Sequence, residues 1–180
     1  MLKLADSENR YGLVAIINHW LGAVMVILLL SIGLYFHEMP RGEQLTYWKG
    51  LHISLGALFF LVLAFRVLWR WSGTSPRPVP QARYLQIAAR AVHHLLLACI
   101  VIMIISGPLM IWSGGHAIRV FDLFSLPSPV GKIKDLHEIL ETAHKVTSRV
   151  LLVLLILHVV AALKHALLDR DTTLKRMLGR

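Results

Sequence analysis

The sequence has a single cysteine, Cys99, and only ten acidic side chains in 180 residues. One thiol excludes a disulfide framework and any thiolate cluster for zinc or iron–sulfur, and it leaves the redox compartment unread. Charge of either sign is scarce, at 16%, where soluble domains carry roughly 25%. That shortage argues against the soluble enzyme classes. Disorder is also excluded, because a disordered chain needs low hydrophobicity. Four long apolar stretches contain no Asp or Glu at all. A metal-ion carrier would be expected to place carboxylates there, so that reading is weakened.

What the chain has instead is apolar length. Hydrophobic residues make up 56%, and mean hydropathy is +0.63. The excess lies in stretches at about 12–36, 51–69, 92–112 and 146–168. A transmembrane helix needs about 20 residues at 1.5 Å per residue, and backbone groups in lipid are satisfied only within helices or closed barrels. The expected fold is therefore all-α: an antiparallel bundle of four transmembrane helices, with residues 1–180 as one membrane domain. The first stretch is too long for the 7–15-residue core of a secretory leader and reads as a retained span.

Lysine and arginine set the orientation. One side of this topology collects 12 of them, including Lys3, Arg66, Arg77 and Lys164, against four acids, a net +8. The other side collects seven, among them Arg41, Arg119 and Lys145, against six acids, a net +1. Both termini are therefore expected in the cytoplasm, with the chain crossing the membrane several times. The overall charge of +9 is accounted for by this bias, and no nucleic-acid partner is needed to explain it.

Ten histidines are the unusual feature. Ionisable side chains at membrane depth are costly and mark functional sites by default. His37 and His116 fall in loops, and His93, His94 and His137 near helix ends, where contact with lipid headgroups explains them. His19, His52, His144 and His158 resist that explanation. His144 and His158 are separated by about four full turns, to within about 40°, so both rings leave one helix face roughly 21 Å apart along the axis. His19 lies near the inner end of the first helix, and His52 at the outer start of the second. Depth thus pairs His19 with His158 and His52 with His144. Two neutral imidazoles from facing helices at one level, twice over, is the donor set that bis-histidine haem iron requires.

Other residues fit the same scheme. Gly56 follows His52 by one turn, and Gly33 stands about four turns after His19, where a missing side chain lets a ring approach the backbone. Arg66 likewise stands about four turns after His52, at the inner level. There it pairs with a haem propionate or a quinone oxygen, or it snorkels to the headgroups. His165 is about two turns beyond His158, nearly on the same face. With Arg66, Lys164, Trp69 and Trp71 it offers polar donors and an aromatic wall for a quinone headgroup; simple interfacial anchoring is the competing reading.

With these residues in place the chain resembles the bacterial di-haem cytochrome b-561 family. The stretches "NHWLGAVMV", "GLHISLGALFFLVLAFRVLWR", "ETAHKVTSRVLLVLLILHVVAALKH" and the tail "DRDTTLKRML" carry the likeness. The resemblance implies two haem b groups, one iron held by His19 and His158 and the other by His52 and His144. It also implies electron transfer across the inner membrane between a periplasmic donor and ubiquinone, with superoxide as the donor in a superoxide oxidase-like member. That would make the protein a superoxide:ubiquinone oxidoreductase or an electron-transfer cytochrome. Ala143 precedes His144 where members often carry an aromatic residue, and His137, in "LHE", is a rival outer ligand by periodicity. Lipid, quinone, superoxide and a redox partner protein are the expected partners. The alternative function is a cytochrome b subunit that anchors a larger hydrogenase or dehydrogenase and relays electrons to quinone.

Overall fold

A computed structural model describes residues 4–73 and 76–180. Lys3, counted above with the inner cations, lies outside the described residues. Four long helices dominate: α1 (Leu13–His37), α2 (Glu43–Ser72), α3 (Arg83–Ser113) and α4 (Lys134–Leu167). Each is long and apolar enough to cross a membrane. A short helix, α5 (Thr173–Met177), ends the chain.

Three helices begin well before their apolar stretches. α2 starts at Glu43 rather than near Leu51, α3 at Arg83 rather than near Val92, and α4 at Lys134 rather than near Val146. Hydropathy marks only the part of a helix that sits in hydrocarbon. Segments such as "KDLHEILETAHK" are rich in Leu, Glu, Lys and Ala, good helix formers that continue the hydrogen-bonded ladder into the interface. Within α3 the helix passes through Gly107 and Pro108 without ending, although Pro108 has no N–H to donate.

α3 packs most extensively against α4 and α1 against α2, with α2 also against α3. Two apolar clusters fill the middle of the bundle. Met25, Leu63, Val67 and Ile100 join α1, α2 and α3; Leu30, Cys99, Leu151 and Leu154 join α1, α3 and α4. Cys99 is thus a small core side chain. Large apolar side chains on the outer surface, among them Leu61, Val24, Val153 and Val160, are exposed. In water such a surface would be a liability; in lipid it is the solvated face.

The connection between α3 and α4 holds a small antiparallel hairpin, β1 (Ile118–Val120) paired with β2 (Phe124–Leu126), with Arg119 opposite Ser125. It lies between the apolar stretches at about 92–112 and 146–168. Ser54 of α2 anchors the hairpin: its hydroxyl donates to the Arg119 carbonyl at 3.1 Å and accepts from the Phe121 amide at 2.9 Å. Val120, 1% exposed, is the buried foot of the hairpin. At the opposite end the N-terminal segment, the connection after α2 and the C-terminal tail meet. Arg77 pairs with Glu8 at 2.7 Å, Arg176 donates to the Arg77 carbonyl at 2.8 Å, and the Trp20 indole donates to the Met177 carbonyl at 2.8 Å.

Candidate haem-binding site

Histidines face each other at two levels of the bundle. At the level nearer the chain termini, the rings of His19 (α1) and His158 (α4) have centroids 6.2 Å apart. At the hairpin end, His52 (α2) and His144 (α4) stand 6.4 Å apart. Two metal–imidazole bonds of about 2 Å each, plus the ring radius on either side, add to roughly the same gap. The apolar cluster of Leu30, Cys99, Leu151 and Leu154 separates the two levels.

At the hairpin level the surroundings hold the rings in place. Ser106 on α3, only 2% exposed, lies with its hydroxyl 2.8 Å from His144 Nδ1. That contact leaves Nε2 as the outward-facing nitrogen, the support a ligating imidazole normally has. A Cβ on Gly107 would sit 3.5 Å from the His144 ring, and one on Gly33 would sit 3.3 Å from the His52 ring. His52 Nδ1 is buried without a hydrogen-bond partner among the described residues.

His137 does not share this level's pairing. Its Nδ1 donates to the Met110 carbonyl at 2.7 Å, and its ring packs against Gly114 beside His116. At Gly56 a Cβ would meet nothing within 4 Å. Gly33 and Gly107 take the close approaches, and Gly56 borders open space.

At the other level, Arg66 reaches across from α2 to α1. It donates to His19 Nδ1 at 3.1 Å and to the Asn18 carbonyl at 3.3 Å. Gly22 makes room for its stem, since a Cβ there would lie 2.5 Å from Arg66 Cδ. Arg66 is therefore turned into the bundle, not out to the headgroups. His93 of α3 adds a third ring, 5.3 Å from His158.

The family model for "Prokaryotic cytochrome b561" matches residues 10–180. The chain belongs to that family. It is also 32% identical to "Cytochrome b561 homolog 2" of Escherichia coli K12, over 99% of this chain and 96% of the relative. It is 26% identical to "Probable superoxide oxidase CybB" of Yersinia pestis, over 95% and 97% of the two chains. "Cytochrome b561 homolog 1" of E. coli K12 is 24% identical, over 96% and 98%. The protein is thus an integral membrane electron-transfer protein of a bacterial cytochrome b family, whose members bind b-type haem.

For a cytochrome b561, several supporting side chains were not singled out by sequence reading. Ser106, Gly22 and Gly107 are three of them, because their roles are set by contacts to other helices. Ser106 and Gly107 do precede Pro108 in "SGP", a small-residue interruption that signals close helix approach in a membrane.

The quinone candidates separate. Trp69 has its indole N–H buried without a partner among the described residues, a donor suited to a carbonyl oxygen. Trp71 is 80% exposed. His165 is already engaged: its Nδ1 lies 2.7 Å from Asp171 Oδ2 and 3.2 Å from Asp169 Oδ2, and Lys164 pairs with Asp169 at 2.6 Å.

Proposed function

We propose that this cytochrome b561 carries two haem b groups, one iron held by His19 and His158 and the other by His52 and His144. It would pass electrons from a periplasmic donor, superoxide, to ubiquinone. The carrying observation is the repeated ring separation, 6.2 and 6.4 Å, of two imidazole pairs. Each iron, when bound, supplies a one-electron couple held in an apolar bundle. The inner membrane, with both termini cytoplasmic, is the location that the lysine and arginine bias supports. His52 and His144 then form the periplasmic level, and His19 and His158 the cytoplasmic one.

The protein's own residues would do the rest. Ser106 fixes the His144 ring, and Gly33 and Gly107 admit the rings close to backbone. Ligation through Nε2 turns His19 Nδ1 from acceptor to donor, so Arg66 must then release it and turn to an anion, a haem propionate or a quinone oxygen. Trp69, Arg66 and His165 support reading the cytoplasmic end as the quinone-reducing side. Gly56 borders the opening beside His52, where a flat macrocycle needs space.

The test is spectral. The purified protein should show a Soret band and reduced α-bands with two components. His19→Ala and His158→Ala should each remove one component, His52→Ala and His144→Ala the other, and His137→Ala neither. Superoxide should reduce the bound haem, and added ubiquinone should reoxidise it. A colourless preparation would end the reading; loss of a component in His137→Ala with none lost in His144→Ala would reassign the outer ligand.

A further inference from the structure

We propose that His165 and Asp171 form a proton-donating dyad that delivers the protons of quinone reduction from the cytoplasmic side. This inference rests on the quinone being reduced at that end of the bundle. Converting ubiquinone to ubiquinol takes two electrons, which the electron-transfer role supplies, and two protons, which need a source of their own. Lipid holds none, so a donor must stand where water meets the site.

His165 has that position. It follows His158 by about two turns, so it leaves α4 within roughly 20° of the same face and about 10 Å nearer the cytoplasm. Its side chain is 19% exposed, as is that of Asp171. The 2.7 Å contact from Nδ1 to Asp171 Oδ2 fixes the tautomer and leaves Nε2 as the free nitrogen. Asp171 is itself held, because the Thr173 amide donates to its other oxygen at 2.8 Å. An imidazole oriented by a fixed carboxylate is the arrangement of a general acid–base.

In the proposed step the protonated imidazole gives the proton on Nε2 to a quinone carbonyl oxygen. The N–H bond breaks, the oxygen's O–H bond forms, and the ring becomes neutral with Nδ1–H still donated to Asp171. Cytoplasmic water then reprotonates Nε2, and the cycle runs twice per ubiquinol. The charged groups touching the imidazole are Asp169 and Asp171, and Lys164 neutralises Asp169. From the elements packed against this end of α4 come Arg90, His93 and His94 of α3 and Lys175 and Arg176 of α5. His93 faces His158, His94 bonds to the Arg90 carbonyl, and Arg176 bonds to the Arg77 carbonyl.

The experiment uses the full-length haem-loaded protein in lipid nanodiscs, reduced and mixed in stopped flow with ubiquinone-1 or with ferricyanide, which accepts electrons without protons. Asp171→Asn and His165→Gln should slow reoxidation by ubiquinone-1 about a hundredfold, with a solvent deuterium isotope effect larger than the parent's. Both should leave ferricyanide reoxidation and the haem spectra unchanged. His165→Ala should regain speed with added imidazole. A photoreactive azidoquinone separates the dyad from the site it serves. Labelling at the cytoplasmic ends of α2 and α4, with parental ubiquinone kinetics in both variants, would overturn the dyad alone. Labelling at the hairpin end would overturn the cytoplasmic quinone site and the dyad with it.

Discussion

The Ser106 hydroxyl on α3 meets His144 Nδ1 on α4 at 2.8 Å, inside the most extensive helix–helix packing in the bundle. A hydroxyl accepting Nδ1–H makes the imidazole a more basic ligand through Nε2. Ser106→Ala should therefore weaken haem retention at the periplasmic level by about 10–100-fold. Where haem is retained, loss of ligand basicity should raise that component's midpoint potential. A redox titration following the two α-band components separately would check both, and an unshifted potential would assign Ser106 to helix packing alone.

Gly33 tests whether α1 leaves room for a ring at the same level. An added Cβ would sit 3.3 Å from His52 Cε1, tighter than ordinary contact, and a branched side chain would go further into that space. Gly33→Val should remove the component that depends on His52. Gly50→Val is the control, because a Cβ there meets nothing within 4 Å and the change in helix propensity is the same. Equal spectra from the two variants would count against close ring approach.

Arg66 is a cation turned into the bundle at the level of His19, and after releasing His19 Nδ1 it stays at that level, where it favours the less positive, reduced state of iron bound there. Arg66→Gln should lower the midpoint potential of the component that depends on His19 and leave the other unchanged. Gly22→Leu should act in the same direction by displacing the Arg66 stem, which a Cβ at Gly22 already meets at 2.5 Å. Potentiometric titration of the three proteins decides the matter.

The parts of the molecule that repeat along one helix were legible in the sequence. His144 and His158 share a face because their spacing nearly completes whole turns, and depth then assigns partners on α1 and α2. Side chains whose role depends on a different helix were not legible. Ser106 meets His144 across 38 positions of chain, and Gly22 on α1 makes room for Arg66 on α2, so local periodicity carries no trace of either contact. The hairpin escaped notice for a related reason. Its strands are very short, and Ser54 on a distant helix supplies the bonds that hold it. Apolar length located the spans yet understated the helices, since α4 runs for several turns ahead of its apolar stretch, from Lys134 to Lys145, on polar helix formers.

Orientation can be tested with Cys99 left in place, because it is buried. Pro78→Cys, in the exposed connection after α2, should react with a membrane-impermeant maleimide only after the cytoplasm is opened. Asp122→Cys, at the exposed hairpin turn, should react in intact cells with a permeable outer membrane. The reverse pattern would invert the topology and exchange the two haem levels between compartments.

The C-terminal tail should be acid-labile through Asp171. Partial burial works to raise its carboxyl, but hydrogen bonds from Thr173 and His165 outweigh that and hold it below the ordinary carboxylate value. A carboxyl with a depressed folded-state value stabilises the fold fully above its unfolded value, about 3.9. The contribution declines as pH falls below that point and is gone once pH has passed through the folded value. Above about pH 5, then, the tail should stay docked, with Trp20 bonded to the Met177 carbonyl. As pH drops below about 4, Asp171 takes up a proton and His165 and Thr173 lose their charged acceptor. The tail should then loosen before the apolar spans do, because those stretches contain no Asp or Glu. Hydrogen exchange of the amides of residues 169–178 in nanodiscs, read against those of α4, follows this directly. Asp171→Asn should exchange fast in the tail at neutral pH and lose most of the parent's acid dependence. A tail equally protected at pH 3 and pH 7 would mean that α5 is held by its contacts to α1 and the connection after α2, with Asp171 contributing nothing.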